Sequence, residues 1–169
     1  MKTTLTDQEI SNIVDKFEEL DEKVIENLSQ EFAKQQPYLI SFIEAAYEIF
    51  EDEEDYIEEL DYNALLIDYI FTKTLGEQPT IMPDFLEKKD DEHLSIIEQL
   101  GEDEEFDDGL YGLFESHPRA DLILYFYGDL FDEDIDFDDE ALELTTQLML
   151  LIYFIIDVYH QAANQTNEA

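Results

Sequence analysis

Apolar residues recur at every third or fourth position along most of this chain, the spacing of one helical face. Thr6-Asp7-Gln8-Glu9 has the capping-box pattern that satisfies free amides at a helix start. Ile10, Ile13, Phe17, Leu20 and Val24 follow as a stripe that Leu28 and Phe32 extend. Residues 1–36 therefore read as one long amphipathic helix, or two in line, packing on the core of the same chain. Pro37 suits the first turn of the next helix, whose apolar face is Leu39, Phe42, Ile43, Ala46, Ile49 and Phe50. Further stripes predict helices over about 56–75, ended by Gly76, and over about 84–100, ended by Gly101. Between them, Gly76 to Pro83 is the clearest loop. A short helix around Leu110 to Phe114 and another opening at Pro118 complete the middle of the chain.

Residues 141–163 differ from all of these. Leu148 to Ile156 is nine apolar residues without a break, too long for a typical strand and far short of the roughly 20 that span a bilayer. A helix apolar on every side must be surrounded by protein. The expected fold is thus all-α: a single-domain bundle of six or seven helices around a central apolar C-terminal helix. Its divisions would be an N-terminal amphipathic segment (1–36), an acidic bundle (37–163) and a disordered tail (164–169). The halves are alike in plan. In each, a proline opens a helix that ends in phenylalanine, followed by an acidic run and a very apolar helix bearing one aspartate, Asp68 or Asp157. That is consistent with two duplicated helical hairpins.

Charge changes the picture most. The chain carries 46 acidic and 8 basic residues, a net of −38 over 169 residues. Residues 1–36 hold four lysines against nine acids, whereas 37–169 hold four basic residues against 37 acids, a net of −33. Twelve Phe and ten Tyr distinguish the chain from disordered polyanions, which are poor in aromatics. Three acidic runs punctuate the helices. The first is Glu51, Asp52, Glu53, Glu54 and Asp55, and the second is Glu102, Asp103, Glu104, Glu105, Asp107 and Asp108. The third is Asp132, Glu133, Asp134, Asp136, Asp138, Asp139 and Glu140.

Candidate chemistry is sparse. Without cysteine there is no disulfide framework, thiolate metal site or cysteine nucleophile. The three histidines, His93, His117 and His160, lie far apart in sequence, and no Gly-rich phosphate loop or paired-His motif occurs. Neither an enzyme nor a cofactor is expected. Asp157-Val-Tyr-His160 has the spacing of one metal-bundle pair, but a di-metal site needs two pairs and two more glutamates. It reads as the frayed polar end of an apolar helix. Acids at Asp132, Asp134, Asp136, Asp138, Glu140 and Glu143 fall on an EF-hand frame, yet Phe137 stands where that frame turns on glycine. No metal site is assigned. Asp68 and Asp157 interrupt apolar faces, and Arg119, the only arginine, sits at a helix start where the dipole disfavours a cation. A structural ion pair of Arg119 with Asp157 or Asp68 would account for all three.

The start of the chain, MKTTLTDQEI, lacks the apolar run of a secretory signal, so the cytoplasm is the expected location. Nucleic acid and anionic membrane would repel this charge, which leaves a basic protein as the expected partner, met by a monomer or homodimer. Adaptation to high salt fits poorly with 17 Ile against nine Ala. The expected function is an acidic module whose three runs occlude a basic nucleic-acid-binding or nuclease partner, as a nucleic-acid mimic or an immunity- or antitoxin-like inhibitor. The alternatives are a scaffold or chaperone-like binder of basic proteins and a helical protein with no nucleic-acid link.

Overall fold

A computed structural model describes residues 4–101, 106–132 and 136–168. The described residues form eight α-helices and no strand. They are α1 (Asp7–Glu18), α2 (Glu22–Gln35), α3 (Pro37–Ala46), α4 (Glu54–Leu75), α5 (Pro83–Gly101), α6 (Phe106–Ser116), α7 (Ala120–Leu130) and α8 (Asp139–Glu168). A 3-10 turn, Tyr47–Phe50, extends α3. The all-α bundle around an apolar C-terminal helix is as the sequence predicts.

The N-terminal stripe is two helices rather than one. The capping box starts α1: Thr6 Oγ1 accepts the Glu9 N–H at 3.1 Å and Glu9 Oε1 accepts the Thr6 N–H at 3.3 Å. Asp21, with φ −63° and ψ 149°, then turns the chain out of the helix. The inward phase shifts there, so Val24 is 40% exposed and Ile25 packs on the core instead. Ile10, Val14 and Phe17 bury α1 against its own chain. Pro118 lies in the turn before α7. Residues 164–168, expected to be a disordered tail, continue α8 as helix, because no glycine or proline follows Leu148 to stop it.

Every residue from Leu148 to Tyr159 except Leu151 is buried. By length and composition Asp139–Gln165 would also cross a membrane, but its most apolar window lies mostly inside the bundle, as a core helix does. Contacts along α8 fix the direction of its neighbours. Tyr56 near the start of α4 reaches Ala141 and Thr145, and Tyr159 donates to Asp68 further along both helices, so α4 and α8 run parallel. Phe114 meets Tyr153 and His117 meets Asp157, so α6 is parallel as well. In α5, Lys89 and His93 sit beside Asp157, while Leu94 and Ile97 share a cavity with Gln147 and Leu150. That helix is antiparallel to α8. So are α3, stacked through Phe42 on Phe154, and α7, whose far end brings Phe131 to Phe137. Gly109 permits the close approach of α6 to α5, since a Cβ there would lie 2.8 Å from Leu100 Cδ2.

At the opposite end, Gly76 (φ 88°) ends α4 in a backbone conformation that suits glycine. The following loop is held by Gln36, which is fully buried. Its amide donates to the Pro79 carbonyl at 2.8 Å and its oxygen accepts the Ile81 N–H at 2.9 Å. In hydrogen exchange, the amides of Leu148 to Tyr159 should be the slowest of the chain, opening only with global unfolding. Protection no greater than that of α1 would contradict the central placement of α8.

Candidate functional site

The alternation of helix directions has one geometric result: the described parts of the three acidic runs fall at the same end of the bundle. Residues 51–55 lead into α4, 102–108 join α5 to α6, and 132–140 join α7 to α8. The starts of the parallel helices α4, α6 and α8 share that end, and the Tyr56 hydroxyl lies 3.4 Å from the Ala141 carbonyl between two of them. Glu51, Asp52, Glu53, Glu54, Asp55, Asp108, Asp132, Asp136, Asp138, Asp139 and Glu140 are all exposed. Asp107 lies in the first turn of α6. Glu102, Asp103, Glu104, Glu105, Glu133 and Asp134 lie outside the described residues.

Part of this clustering is local physics. Carboxylates in the first turn face the positive end of the helix dipole, typically worth 0.3–1 kcal/mol each. Glu54 and Asp55 on α4 and Asp139 and Glu140 on α8 occupy such positions. Asp138 Oδ1 also accepts the Ala141 N–H at 2.7 Å, capping α8. Glu51 is different. Its φ of 50° lies in the left-handed region, where glycine is favoured, yet the position carries a carboxylate. No basic residue falls within any of the three runs. The four basic residues of 37–169 lie toward the other end: Lys73 in the last turn of α4, Lys88 and Lys89 early in α5, and Arg119 at the start of α7. Lys89 and Arg119 are buried besides. Among the described residues no group of three His, Asp or Glu side chains is arranged to hold a metal ion. Residues 133–135 of the EF-hand frame lie outside that description.

No protein-family model, curated protein or solved structure matches this chain.

The expected pairing of Arg119 with Asp157 or Asp68 is not what forms. Arg119 is 1% exposed, and its guanidinium forks onto Asp121, with Nε to Oδ1 and NH2 to Oδ2 both at 3.0 Å. It also lies over the Phe71 ring, 5.2 Å from the centroid. Asp121 is in the first turn of α7, so its carboxylate offsets a cation that the helix dipole disfavours. The same carboxylate accepts the Leu5 N–H at 2.8 Å, which ties α7 to the residue leading into α1.

Asp157 is instead held by the histidines that looked scattered. His93 Nε2 lies 2.9 Å from Oδ2 and His117 Nε2 lies 2.8 Å from Oδ1, with Lys89 Nζ 3.6 Å away. His117 Nδ1 accepts the Arg119 N–H at 2.9 Å, which leaves its proton on Nε2, directed at Asp157. Burial pushes Asp157 up, but the hydrogen bonds from His117 and His93 and the charge of Lys89 outweigh it, holding the carboxyl well below the usual range. Burial and Asp157 together push Tyr153 up to about 12. His160 stacks edge-on to His117, and burial, with His117 and Arg119 close by, lowers it. The turn expected to fray is therefore part of the core. Both Nε2 atoms are used on Asp157, so the cluster is built to keep one charge inside the bundle.

Among the described residues Asp68 has only the Tyr159 hydroxyl, which donates at 2.7 Å, and burial pushes it up more than that bond lowers it. The two aspartates should answer substitution oppositely at pH 7. Asp157→Asn should cost about 3–5 kcal/mol, because it leaves two buried N–H donors without their anion and Lys89 with Glu92 alone. Asp68→Asn should stabilise by about 1 kcal/mol, since it keeps the acceptor and removes a poorly solvated charge. The raised Asp68 adds stability below the ordinary carboxyl pKa of roughly 3.9 that is lost as pH rises through its folded value. The Asp68→Asn gain should therefore fade by about pH 4. Asp157 acts in the reverse sense, its contribution being present above roughly pH 4 and lost only as pH falls through its depressed value. Urea unfolding at pH 7 and pH 4 measures both, and like signs for the two variants at pH 7 would refute this account.

Carboxylates gathered at one end repel one another and oppose compaction. Adding about 0.5 M NaCl should raise Tm by several degrees through screening. A Tm indifferent to salt would show that the runs are too far apart to interact.

Proposed function

We propose that the acidic end of the bundle binds a basic protein surface that otherwise holds nucleic acid, and occludes it as a nucleic-acid mimic or an immunity- or antitoxin-like inhibitor acting in the cytoplasm. The observation that carries this reading is the convergence of the three runs. The twelve carboxylates of these runs among the described residues lie at one end, and the runs contain no basic residue. Stability alone does not require such density, because one or two acids per helix start satisfy the dipole. The carboxylate of Glu51, on a backbone that favours glycine, also fits a surface shaped for charge. A rigid frame of parallel helix ends offers fixed anionic groups, and electrostatic complementarity of this kind speeds association and selects partners.

Proteins captured from lysate at about 50 mM salt should be nucleic-acid-binding proteins, and excess DNA or RNA should release them. Capture should fall steeply between about 50 and 200 mM salt, as expected when many ionic contacts release counterions. Converting 51–55 or 132–140 to Asn and Gln should weaken capture at least tenfold without loss of helicity, whereas single substitutions should barely register. Partners that hold equally well at high salt and in excess nucleic acid would overturn the proposal and favour a chaperone-like binder.

A further inference from the structure

A second surface lies beside the acidic end. Between α3 and α5 two depressions adjoin, sharing Phe42 and Asp90 in their walls, and α8 forms the floor of one of them. The one nearer the acidic end has a volume of about 270 Å³ and is lined mainly by apolar side chains, Ile49, Leu94, Ile97 and Leu150 among them. The other runs toward Tyr38 and Pro83. Large apolar side chains stand open along this groove: Tyr38 is 42% exposed, Ile49 43% and Leu94 52%. From Tyr38 to Ile49 the helical rise gives about 17 Å, or three turns of a helix.

Asp90 sits where the two depressions meet. It is half-buried, and among the described residues no hydrogen bond or ion pair satisfies its carboxylate. Burial and the neighbouring Asp91 push it up, which His93 only partly offsets, so a cation brought to it would relieve the remaining charge. Glu87 lines the groove with Asp90, and on the same two walls Glu48, Asp91 and Glu98 are exposed, against one exposed cation, Lys88. A second copy of the chain would set two acidic rims face to face, which disfavours self-association here. An elongated, open groove with apolar ends and an anionic waist fits one kind of occupant.

We propose that this groove seats one face of an amphipathic basic helix of the partner, with apolar side chains in the two depressions and a lysine or arginine between them meeting Asp90. The proposal rests on the reading of the acidic end and adds a feature of the partner to it. The mode is a helix laid in a groove, read through anchors about one turn apart. The carboxylate runs attract the basic segment, while the groove supplies the apolar contacts that slow its release.

The test uses two labelled peptides of about 16 residues, long enough for four helical turns. One carries leucines along a single helical face with arginine and lysine elsewhere. The other has the same composition shuffled so that the apolar face is lost. By fluorescence anisotropy at about 150 mM salt, the striped peptide should bind the full chain at least tenfold more tightly than the shuffled one. Ile49→Ser combined with Leu94→Ser should abolish that preference, and Asp90→Asn should weaken the striped peptide severalfold while sparing the shuffled one. All three positions are exposed or half-buried, and unchanged circular dichroism would show that the variants fold. Equal binding of the two peptides, no binding of the striped one, or a preference that survives the double substitution would overturn the groove assignment. If both peptides bind equally and neutralising 51–55 weakens both, the groove is refuted while the acidic-end reading stands. If the striped preference holds but neutralising the runs changes nothing, the groove stands and the acidic-end reading falls.

Discussion

A helix with no polar face over Leu148 to Ile156 has to be enclosed, and the fold is an answer to that constraint. Enclosure by helices that alternate in direction sets α3, α5 and α7 against α4, α6 and α8. The connections between them then fall at two ends. One collects the carboxylate runs, and the other the Gln36-clamped loop and the turn at His117 to Arg119. The charge asymmetry is thus a consequence of topology acting on where the acids fall in the chain.

Enclosure also makes Asp157 expensive, since a carboxylate in an apolar core must be matched or neutralised. The match comes from two segments at once: Lys89 and His93 from α5, and His117 from the turn before α7. Because the donors arrive from two separate parts of the chain, the carboxylate fixes the axial register of α5 and the α6–α7 turn against α8. Asp68, bonded to the Tyr159 hydroxyl, fixes much less.

The helices were legible because their spacing is a local property: the capping box at Thr6, the proline at 37 and the glycine at 76 bound them as expected. What eluded the sequence was registration between helices. Arg119 was assigned to distant aspartates when Asp121, two residues away, could reach it bidentately. His93 and His117 gave no signal as partners of Asp157, since nothing in spacing along the chain states which turns lie at equal depth. The split at Asp21 was weakly signalled, because the stripe continues through it with only a change of phase. The meeting of the acidic runs was within reach, given an up-and-down bundle, yet periodicity alone does not specify directions.

The parallel pairing of α4 with α8 has a bearing on how the chain comes to be folded. Parallel neighbours cannot be joined by a tight turn, and here some sixty residues, Gly76 to Asp138, intervene. The most extensive helix–helix contact among the described residues is therefore made from segments remote in sequence, whose closure is slow. During synthesis the apolar faces of α1 to α7 all emerge before the helix that covers them. Until then the nascent bundle is an open cup of Phe, Ile and Leu carrying a heavy negative charge, and mutual repulsion between such chains hinders their aggregation. The same carboxylates that burden the finished fold protect its unfinished form.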